Sequence, residues 1–464
     1  METGAQIPTC PYVWPTGQSV SGKFLEGEKN SANWRREHGG IFRIWAGTRP
    51  EIVLTKPRQM KLVFRDSDKH PKAENNDAGY LMGRLLGKCV GLLGGEEWRH
   101  LRNVSEKAFT RTSAIGHVSM IYDRAKKYVK NWEETGTLGA GTINPVEDIK
   151  MLPFFAVADI TFGPLSPDME KSLWELAPGH EKLFKEVFKA GCHRFSLSRF
   201  FPTDINRTLH EFETKWKKFN LSAYQRAVNN GLVNTPVYQL FEELATGSIS
   251  PENVYQTLDE ALYANLDVTT GALSWNLVFL AFDPKIQAQA RAEIRAVDKS
   301  NPESLHKYLL DTRSFLSACI NEAARLKPLA PFSVPQAAPT ERVLDGYRIP
   351  AGTHYLIDAY ALNIKNDFWG EDAEKYRPGR FQEVSSTEVR YNFWRFGFGP
   401  RQCMGRYVAD VVIRGLLVEL LDRWELQLPK GMSLDKWERD METWVNHPTM
   451  DLITVPLSGE KKVL

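Results

Sequence analysis

Near the C-terminus, ten residues place one sulfur in a setting suited to chemistry: Phe396-Gly397-Phe398-Gly399-Pro400-Arg401-Gln402-Cys403-Met404-Gly405. Gly397, Gly399 and Pro400 favour a tight loop, and helical text, Arg406–Trp424, begins just past the cysteine. The unpaired N–H groups and positive dipole end of such a helix stabilise a thiolate. Gly405 lets the backbone lie close to a flat cofactor, and Arg401 is a fixed cation suited to a carboxylate. A lone cysteine is usually a buried structural thiol, but here five specified positions, F-x-x-G-x-R-x-C-x-G, coincide. Cys10, Cys89, Cys192 and Cys319 have no such context and read as core thiols. Five scattered cysteines without a CxxC pair exclude a disulfide framework, a zinc finger and an iron–sulfur cluster.

Three further stretches could do chemistry. Ala264-Asn265-Leu266-Asp267-Val268-Thr269-Thr270 lies within Asn253–Phe282, helical text apolar nearly all round, as in a helix buried through a core. An acid there needs a partner, because a buried lone carboxylate is expensive. Trp98-Arg99-His100-Leu101-Arg102 offers an indole N–H and a guanidinium, both good anion donors. Glu322 and Arg325 share a helix face at i, i+3, ahead of Tyr376-Arg377-Pro378-Gly379-Arg380-Phe381.

Taken together, these motifs resemble the haem-thiolate monooxygenases, the cytochromes P-450. The resemblance implies that Cys403 is the proximal ligand of the iron of haem b (iron protoporphyrin IX), where a thiolate favours O–O cleavage of bound O2. It places Phe396, Arg401 and Gly405 around the cofactor and makes Trp98 and Arg102 donors to a propionate. It makes Glu322, Arg325 and Arg380 a buried ion network bracing the cysteine loop, with Gly379 where the family has a glutamate. Lys365, Asn366 and Gln336 depart from the family's usual residues and leave the second propionate's partners open.

The stretch Ala264–Thr270 resembles the distal element A-G-x-D-T-T, which relays protons to oxygen. Here Asn265 replaces the glycine and Val268 the usual threonine. Thr269 is rotated by about 100° on a regular helix and substitutes only if the helix bulges. Protons are then expected through a substrate hydroxyl or amide, or through water held by Asn265 and Asp267.

By the same resemblance, the substrate pocket draws on Asn75, Asn76, Tyr80, Leu262, Leu329, Phe332, Val334, Asn446 and His447, with the helices of Leu173–Asn229 as a mobile lid. Such a pocket suits a medium-sized molecule with amides or hydroxyls. The text at Asn30–Leu54 and Ala264–Trp275 is most similar to fungal members of the microsomal type that tailor secondary metabolites, with modified cyclic dipeptides as a substrate class. No GxGxxG loop or fused flavin module is present, so electrons from NADPH are expected through a cytochrome P-450 reductase docked on Arg99, Arg124, Lys126, Lys127, Lys130 and Arg406. Two other readings stand beside the monooxygenase: a haem-thiolate oxidative cyclase or isomerase using hydrogen abstraction without net hydroxylation, and a non-catalytic haem sensor or carrier.

The elements that must position these residues are mostly helical. Helical spacing recurs at Glu97–Phe109, Val118–Glu134, Asn206–Asn229, Pro251–Ala281, Pro284–Val297 and Asp311–Arg325, with a hairpin at residues 42–55 and strands at Leu344–Ile349, Tyr355–Ala359 and Asp451–Pro456. The expected fold class is mainly α with a minor β portion: one cytochrome P-450 domain over residues 1–464, with 1–30 an irregular lead-in. In it the haem lies between a long distal helix and the proximal cysteine loop and helix. Lys+Arg 59 against Asp+Glu 57 gives +2, which lends nucleic-acid binding no overall electrostatic support. No apolar stretch approaches the roughly 20 residues of a membrane span. Membrane contact is expected only through an anchor absent from this chain. The location is then the cytoplasmic side of the endoplasmic reticulum if an anchor was removed and the cytoplasm otherwise, with the protein a monomer.

Overall fold

The computed structural model describes residues 6–134, 136–189, 191–434 and 440–457, so residues 1–5 of the expected lead-in lie outside it. The remainder of that lead-in is not wholly irregular: a short helix spans Ser19–Phe24 and a longer one starts at Gly27 and runs to His38. At the centre lie two helices. The proximal helix, Arg406–Arg423, packs against the long helix Arg111–Glu134, with Gly415 facing Ala125, Ile121 and Tyr122, and buries Val408, Val411, Val412, Leu416 and Leu420 in the surrounding core. The distal helix starts at Pro251, where Ser250 and Asn253 form a reciprocal cap, and ends at Phe282. Asp283 then caps Pro284–Arg295, accepting from the N–H groups of Lys285 and Ile286, so the stop and restart expected at Asp283-Pro284 is present.

The distal helix is not uniform. Pro251–Asp259 is α-helical, Glu260–Ala264 is a π turn, and α-helix resumes at Leu266. The resumed part buries Leu273, Trp275, Leu277, Val278, Phe279 and Leu280, side chains on every side of its axis. The Ile41–Ala46 strand (β1) and the Arg49–Leu54 strand (β2) form the expected antiparallel hairpin. Thr142–Ile143 (β3), Trp424–Gln427 (β8) and Leu452–Pro456 (β9) make a three-stranded sheet in the order β3-β9-β8. Gln336–Ala337 (β4) and His354–Ile357 (β7) extend the first hairpin into a four-stranded sheet, β1-β2-β7-β4, with β2 and β7 parallel.

The single strand expected at Leu344–Ile349 is instead a hairpin, Arg342–Leu344 (β5) against Tyr347–Ile349 (β6). Asp345 and Gly346 form its turn with φ of 51° and 89°, the conformation that Asp-Gly pairs favour. Likewise, Asp358 ends β7 by capping a helix at Ala359–Asn363, which shortens the strand expected to reach Ala359.

Candidate active site

The cysteine loop is set by backbone geometry. Gly397 and Gly399 hold φ of 85° and 68°, and a Cβ at Gly399 would stand 2.2 Å from the Phe64 carbonyl oxygen. Only glycine fits there. The loop closes where the Cys403 N–H donates to the Phe396 carbonyl at 2.8 Å, and the proximal helix starts three residues on. The Arg395 guanidinium lies over the Phe396 ring at 4.4 Å. The Cys403 thiol has open surface, yet burial among protein atoms raises its pKa, so the sulfur stands in the wall of an internal space. The Gly405 N–H and the charges of Arg102 and Arg406 oppose that rise without cancelling it. The helix start therefore favours the thiolate as expected, but a cation at the sulfur must supply the rest. A Cβ at Gly405 would meet only the Cys403 sulfur within 4 Å, at 3.8 Å, leaving that wall free for a flat group.

Behind the loop, Glu322, Arg325 and Arg380 meet in a fully buried network. Arg325 clasps Glu322 with bonds of 2.7 and 2.8 Å, and Arg380 Nε donates to Glu322 Oε1 at 2.8 Å. Arg325 also donates to the Asn363 carbonyl at 2.9 Å, and the Asn363 side chain bonds both the N–H and the carbonyl of Trp394, at 2.8 and 2.9 Å. Asn363 thus ties the network to the chain entering the cysteine loop. Sequence reading missed it, because nothing local marks its pairing with Trp394.

Around the cysteine loop lies a group of cations, Arg102, Arg401 and Lys72, of which only Arg102 has a carboxylate within ion-pair distance among the described residues. Arg401 donates to the carbonyls of His70 and Leu93 and stacks over Trp98 at 4.4 Å, while Arg102 donates to the Gln402 carbonyl at 3.0 Å and pairs with Glu106. Burial and the nearby Arg102 push Arg401 down to about 10, and burial with Arg401 pushes Lys72 down to about 7. Among the described residues, no carboxylate lies within ion-pair distance of Arg401 or Lys72. The backbone of Lys72 pairs antiparallel with that of Gln336, the residue that departs from the family's arginine. This cluster, with the indole of Trp98, fits a doubly carboxylated flat group such as haem. Lys72 was not foreseen, since only the fold brings it beside Gln336. His100, by contrast, faces outward and contacts Glu243.

Across the internal space runs the distal helix. The Asn265 side chain donates to the Glu260 carbonyl at 2.5 Å, across the π turn. Thr269 lies one α-turn beyond Asn265 and its hydroxyl donates to the Asn265 carbonyl at 3.3 Å, so the two share a stripe with the partly exposed Val268. The helix does bulge, just before the residues for which a bulge is needed. Asp267 and Thr270 face the other way, into a cleft of about 240 Å³ lined also by Lys150, His180, Glu181 and His447. Burial raises the Asp267 carboxyl above its ordinary value, with Glu181 adding to the rise and His447, His180 and Lys150 opposing it.

The residues expected in a substrate pocket scatter. Leu329 and Val334 are half-buried, and Leu329 borders the core. Leu262 is buried in the core, and Phe332 is fully buried against Trp34, so Phe332 lines no open space. Asn75 packs against Gly83 and Gly87, Asn76 is buried, and the Tyr80 hydroxyl accepts from Arg84, which pairs with Glu213. Asn446 is a brace: its side chain donates to the Tyr360 hydroxyl and its carbonyl accepts from Trp275. The His447 Nε2 bonds the Asp267 carbonyl at 2.8 Å, pinning the C-terminal turn to the distal helix. Of the expected reductase contacts, Arg124 is unavailable, being buried in pairs with Asp159 and Glu170.

A cysteine loop opposite a long, locally unwound helix, with cations placed for two carboxylates, defines the haem-thiolate class. The sequence model described as cytochrome P-450 matches residues 8–455, and the chain belongs to that family. It is 47% identical to the cytochrome P-450 monooxygenase asaD of Aspergillus flavus, over 97% of this chain and 86% of the relative. It is 48% identical to aclC of Aspergillus oryzae, over 96% and 91%, and 39% identical to gliC of Aspergillus fumigatus, over 98% and 90%; both bear the same monooxygenase description. The protein is thus an oxidoreductase of the monooxygenase type, using haem-thiolate iron, O2 and electrons from a reductase. No helix among the described residues is long and apolar enough to cross a membrane.

Proposed function

We propose that this enzyme oxidises a medium-sized fungal secondary metabolite carrying amides, with cyclic dipeptides as the leading class, and draws electrons from NADPH through a cytochrome P-450 reductase. Haem b, held by Cys403, would supply oxygen activation at the iron. Trp98, Arg102, Arg401 and Lys72 would hold its propionates, and Gly405 would allow it to lie against the loop. The single observation that carries the reading is the Cys403 sulfur on a glycine-built loop, with Arg401, which has no carboxylate within ion-pair distance among the described residues, two positions before it.

Val268 puts no hydroxyl on its part of the distal stripe. The Thr269 hydroxyl donates to the Asn265 carbonyl and keeps its lone pairs as acceptors. Water entering the Asp267 cleft can exchange protons with the Asp267 carboxyl, which burial keeps readier to hold one. Asp267, Asn265, Thr269 and a donor on the substrate itself would then share the relay. The missing hydroxyl also favours a second reading, oxidative cyclisation or desaturation by hydrogen abstraction.

The segment between the helices Ala177–Lys189 and Asp204–Asn229 exposes Phe195, Leu197, Phe200 and Phe201, interspersed with Arg194 and Arg199. That apolar patch with cations supports contact with the cytoplasmic face of the endoplasmic reticulum membrane by a monomer. The test combines two measurements. The reduced carbon-monoxide spectrum should show thiolate ligation in the wild type and lose it in Cys403→Ala. Product analysis on a panel of cyclic dipeptides, with and without reductase, NADPH and O2, should then give a hydroxylated or cyclised product only in the full system. Retention of the thiolate spectrum in Cys403→Ala would remove the basis of the assignment.

A further inference from the structure

The His447 ring is 4% exposed and sits in a notch of the distal helix. A Cβ at Gly271 would stand 2.9 Å from the ring's Cδ2 and 3.1 Å from its Nε2, so glycine admits the ring where a larger residue would displace it. Asn446, tied to Leu329, Trp275 and Tyr360, fixes the chain that carries the ring. The Nε2 contact is with the Asp267 carbonyl at 2.8 Å. A carbonyl only accepts, so Nε2 carries the hydrogen and Nδ1 is the basic nitrogen. Among the described residues, no group is hydrogen-bonded to Nδ1.

Two clefts meet at this ring. The inner one, of about 240 Å³, holds Asp267 and Thr270. The outer one, of about 320 Å³, is bordered by the exposed residues Glu147, Thr449 and Asp451. His447 lines both. Other ionisable groups of the inner cleft are engaged: Lys150 pairs with Glu147, Lys185 with Glu181 and Glu442, and His180 with Asp259. The Asp440 carboxylate, at the boundary of the two clefts, accepts from the Glu442 N–H. The Asp267 carboxyl has no hydrogen bond and no ion pair among the described residues. Burial raises it, and His447 is the foremost of the charges that oppose the rise. The Thr270 hydroxyl, buried on the same wall, also lacks a protein partner among the described residues, so the inner cleft offers polar partners to water.

We propose that His447 is the residue through which protons from solvent reach Asp267. This rests on the reading of Asp267 as a member of the proton relay. Nδ1 takes a proton from water, giving an imidazolium. The same atom then releases it through water of the inner cleft to the Asp267 carboxylate, which becomes the neutral acid. The ring returns to its Nε2–H form, and no electrons move. The bond to the Asp267 carbonyl holds in both states, so the ring need not turn.

The test uses the haem-loaded enzyme with reductase, NADPH and O2. It needs no added substrate, because uncoupled turnover sends electrons to hydrogen peroxide or to water. His447→Gln keeps a donor for the Asp267 carbonyl but cannot take up a proton. It should raise the peroxide-to-water ratio about tenfold, less than the ~10²–10⁴ of a direct general acid, because water alone still carries some protons past it. His447→Phe removes the brace as well; bracing alone predicts an effect in Phe and none in Gln. The second readout needs no turnover: the infrared band of protonated Asp267, identified by its loss in Asp267→Asn and followed after a jump to acid pH. In His447→Gln that band should grow about tenfold more slowly than in wild type. An unchanged reduced carbon-monoxide spectrum certifies the fold of each variant. If Asp267→Asn shifts the ratio but His447→Gln matches wild type in either readout, the proposal is overturned and the relay stands. If Asp267→Asn leaves the ratio unchanged, the relay falls and the proposal with it.

Discussion

Replacing Asn363 by Ala tests the claim that one amide couples the buried ion network to the cysteine loop. The side chain is fully buried and makes two bonds, to the Trp394 N–H at 2.8 Å and to the Trp394 carbonyl at 2.9 Å. Alanine keeps the backbone carbonyl that accepts from Arg325, so the Glu322 network itself retains its partner. What is lost is the pairing of two backbone groups nine positions before Cys403. Leaving a buried donor or acceptor unpaired costs about 1–3 kcal/mol. Trp394 is only half-buried, so the lower half of that range applies and the sum is about 2–4 kcal/mol. That is a large part of the ~5–15 kcal/mol that holds a typical domain together. Urea unfolding followed by tryptophan fluorescence measures the cost. The reduced carbon-monoxide spectrum measures its location, because a loosened loop should raise the fraction lacking thiolate ligation. Asn366→Ala is the matched control: Asn366 is three positions on and its side chain caps Phe368 and bonds Asn392. It should cost under about 1 kcal/mol, as capping losses at accessible sites do. Equal losses in the two variants, or a destabilised Asn363→Ala with an unaltered carbon-monoxide spectrum, would refute the coupling.

Val268→Thr restores a hydroxyl to the distal stripe and should change the product ratio or the fraction of electrons lost to peroxide; identical coupling and products would remove Val268 from the chemistry. Gly399→Ala and Gly405→Ala separate loop folding from cofactor fit. The first puts a Cβ against the Phe64 carbonyl at positive φ and should abolish soluble expression, whereas the second meets only the Cys403 sulfur and should fold with reduced haem content. Comparable folded yields of the two would contradict that division. Folding raises Asp358 from 3.8 to about 6, so across that window the native state holds a proton the unfolded chain has released. This group therefore favours the fold below pH 3.8 and loses that contribution as pH rises to about 6. Asp358→Asn, which keeps an acceptor for Ser31 and Ala361, should gain on wild type by about 1–3 kcal/mol between pH 4 and 6.5 in urea midpoints; parallel profiles would show that Asp358 does not titrate there.

Legibility in the sequence followed the range of each interaction. The Cys403 loop could be read because its requirements are local: positive φ at Gly397 and Gly399, and a helix start just after the sulfur. Glu322 and Arg325 were legible as a pair by i, i+3 spacing, and Arg380 joined them only through family resemblance. Lys72 and Asn363 were not legible, since the first is placed by backbone pairing with Gln336, hundreds of residues away, and the second works through Trp394, tens of residues away, and no periodicity links either pair. Asn446 and His447 show a different limit. Their polarity marked them as pocket handles, but a buried polar side chain must first satisfy itself, and here both brace the C-terminal turn against the distal region. The Asp345-Gly346 turn carried a readable signal that the alternating pattern around it obscured.

The departures in the distal helix make more sense together than singly. Where a glycine would leave the Glu260 carbonyl without a side-chain donor, Asn265 provides one, at the turn where the backbone ladder changes register. That bond spans the π turn, whose first residue, Glu260, accepts from the Gly91 N–H through its carboxylate. The Thr269 hydroxyl, held by the Asn265 carbonyl, is in turn committed to the same short segment. Asn265 therefore compensates for an altered helix: its side chain supplies the donor at the change of register, on the stripe where Val268 carries no hydroxyl.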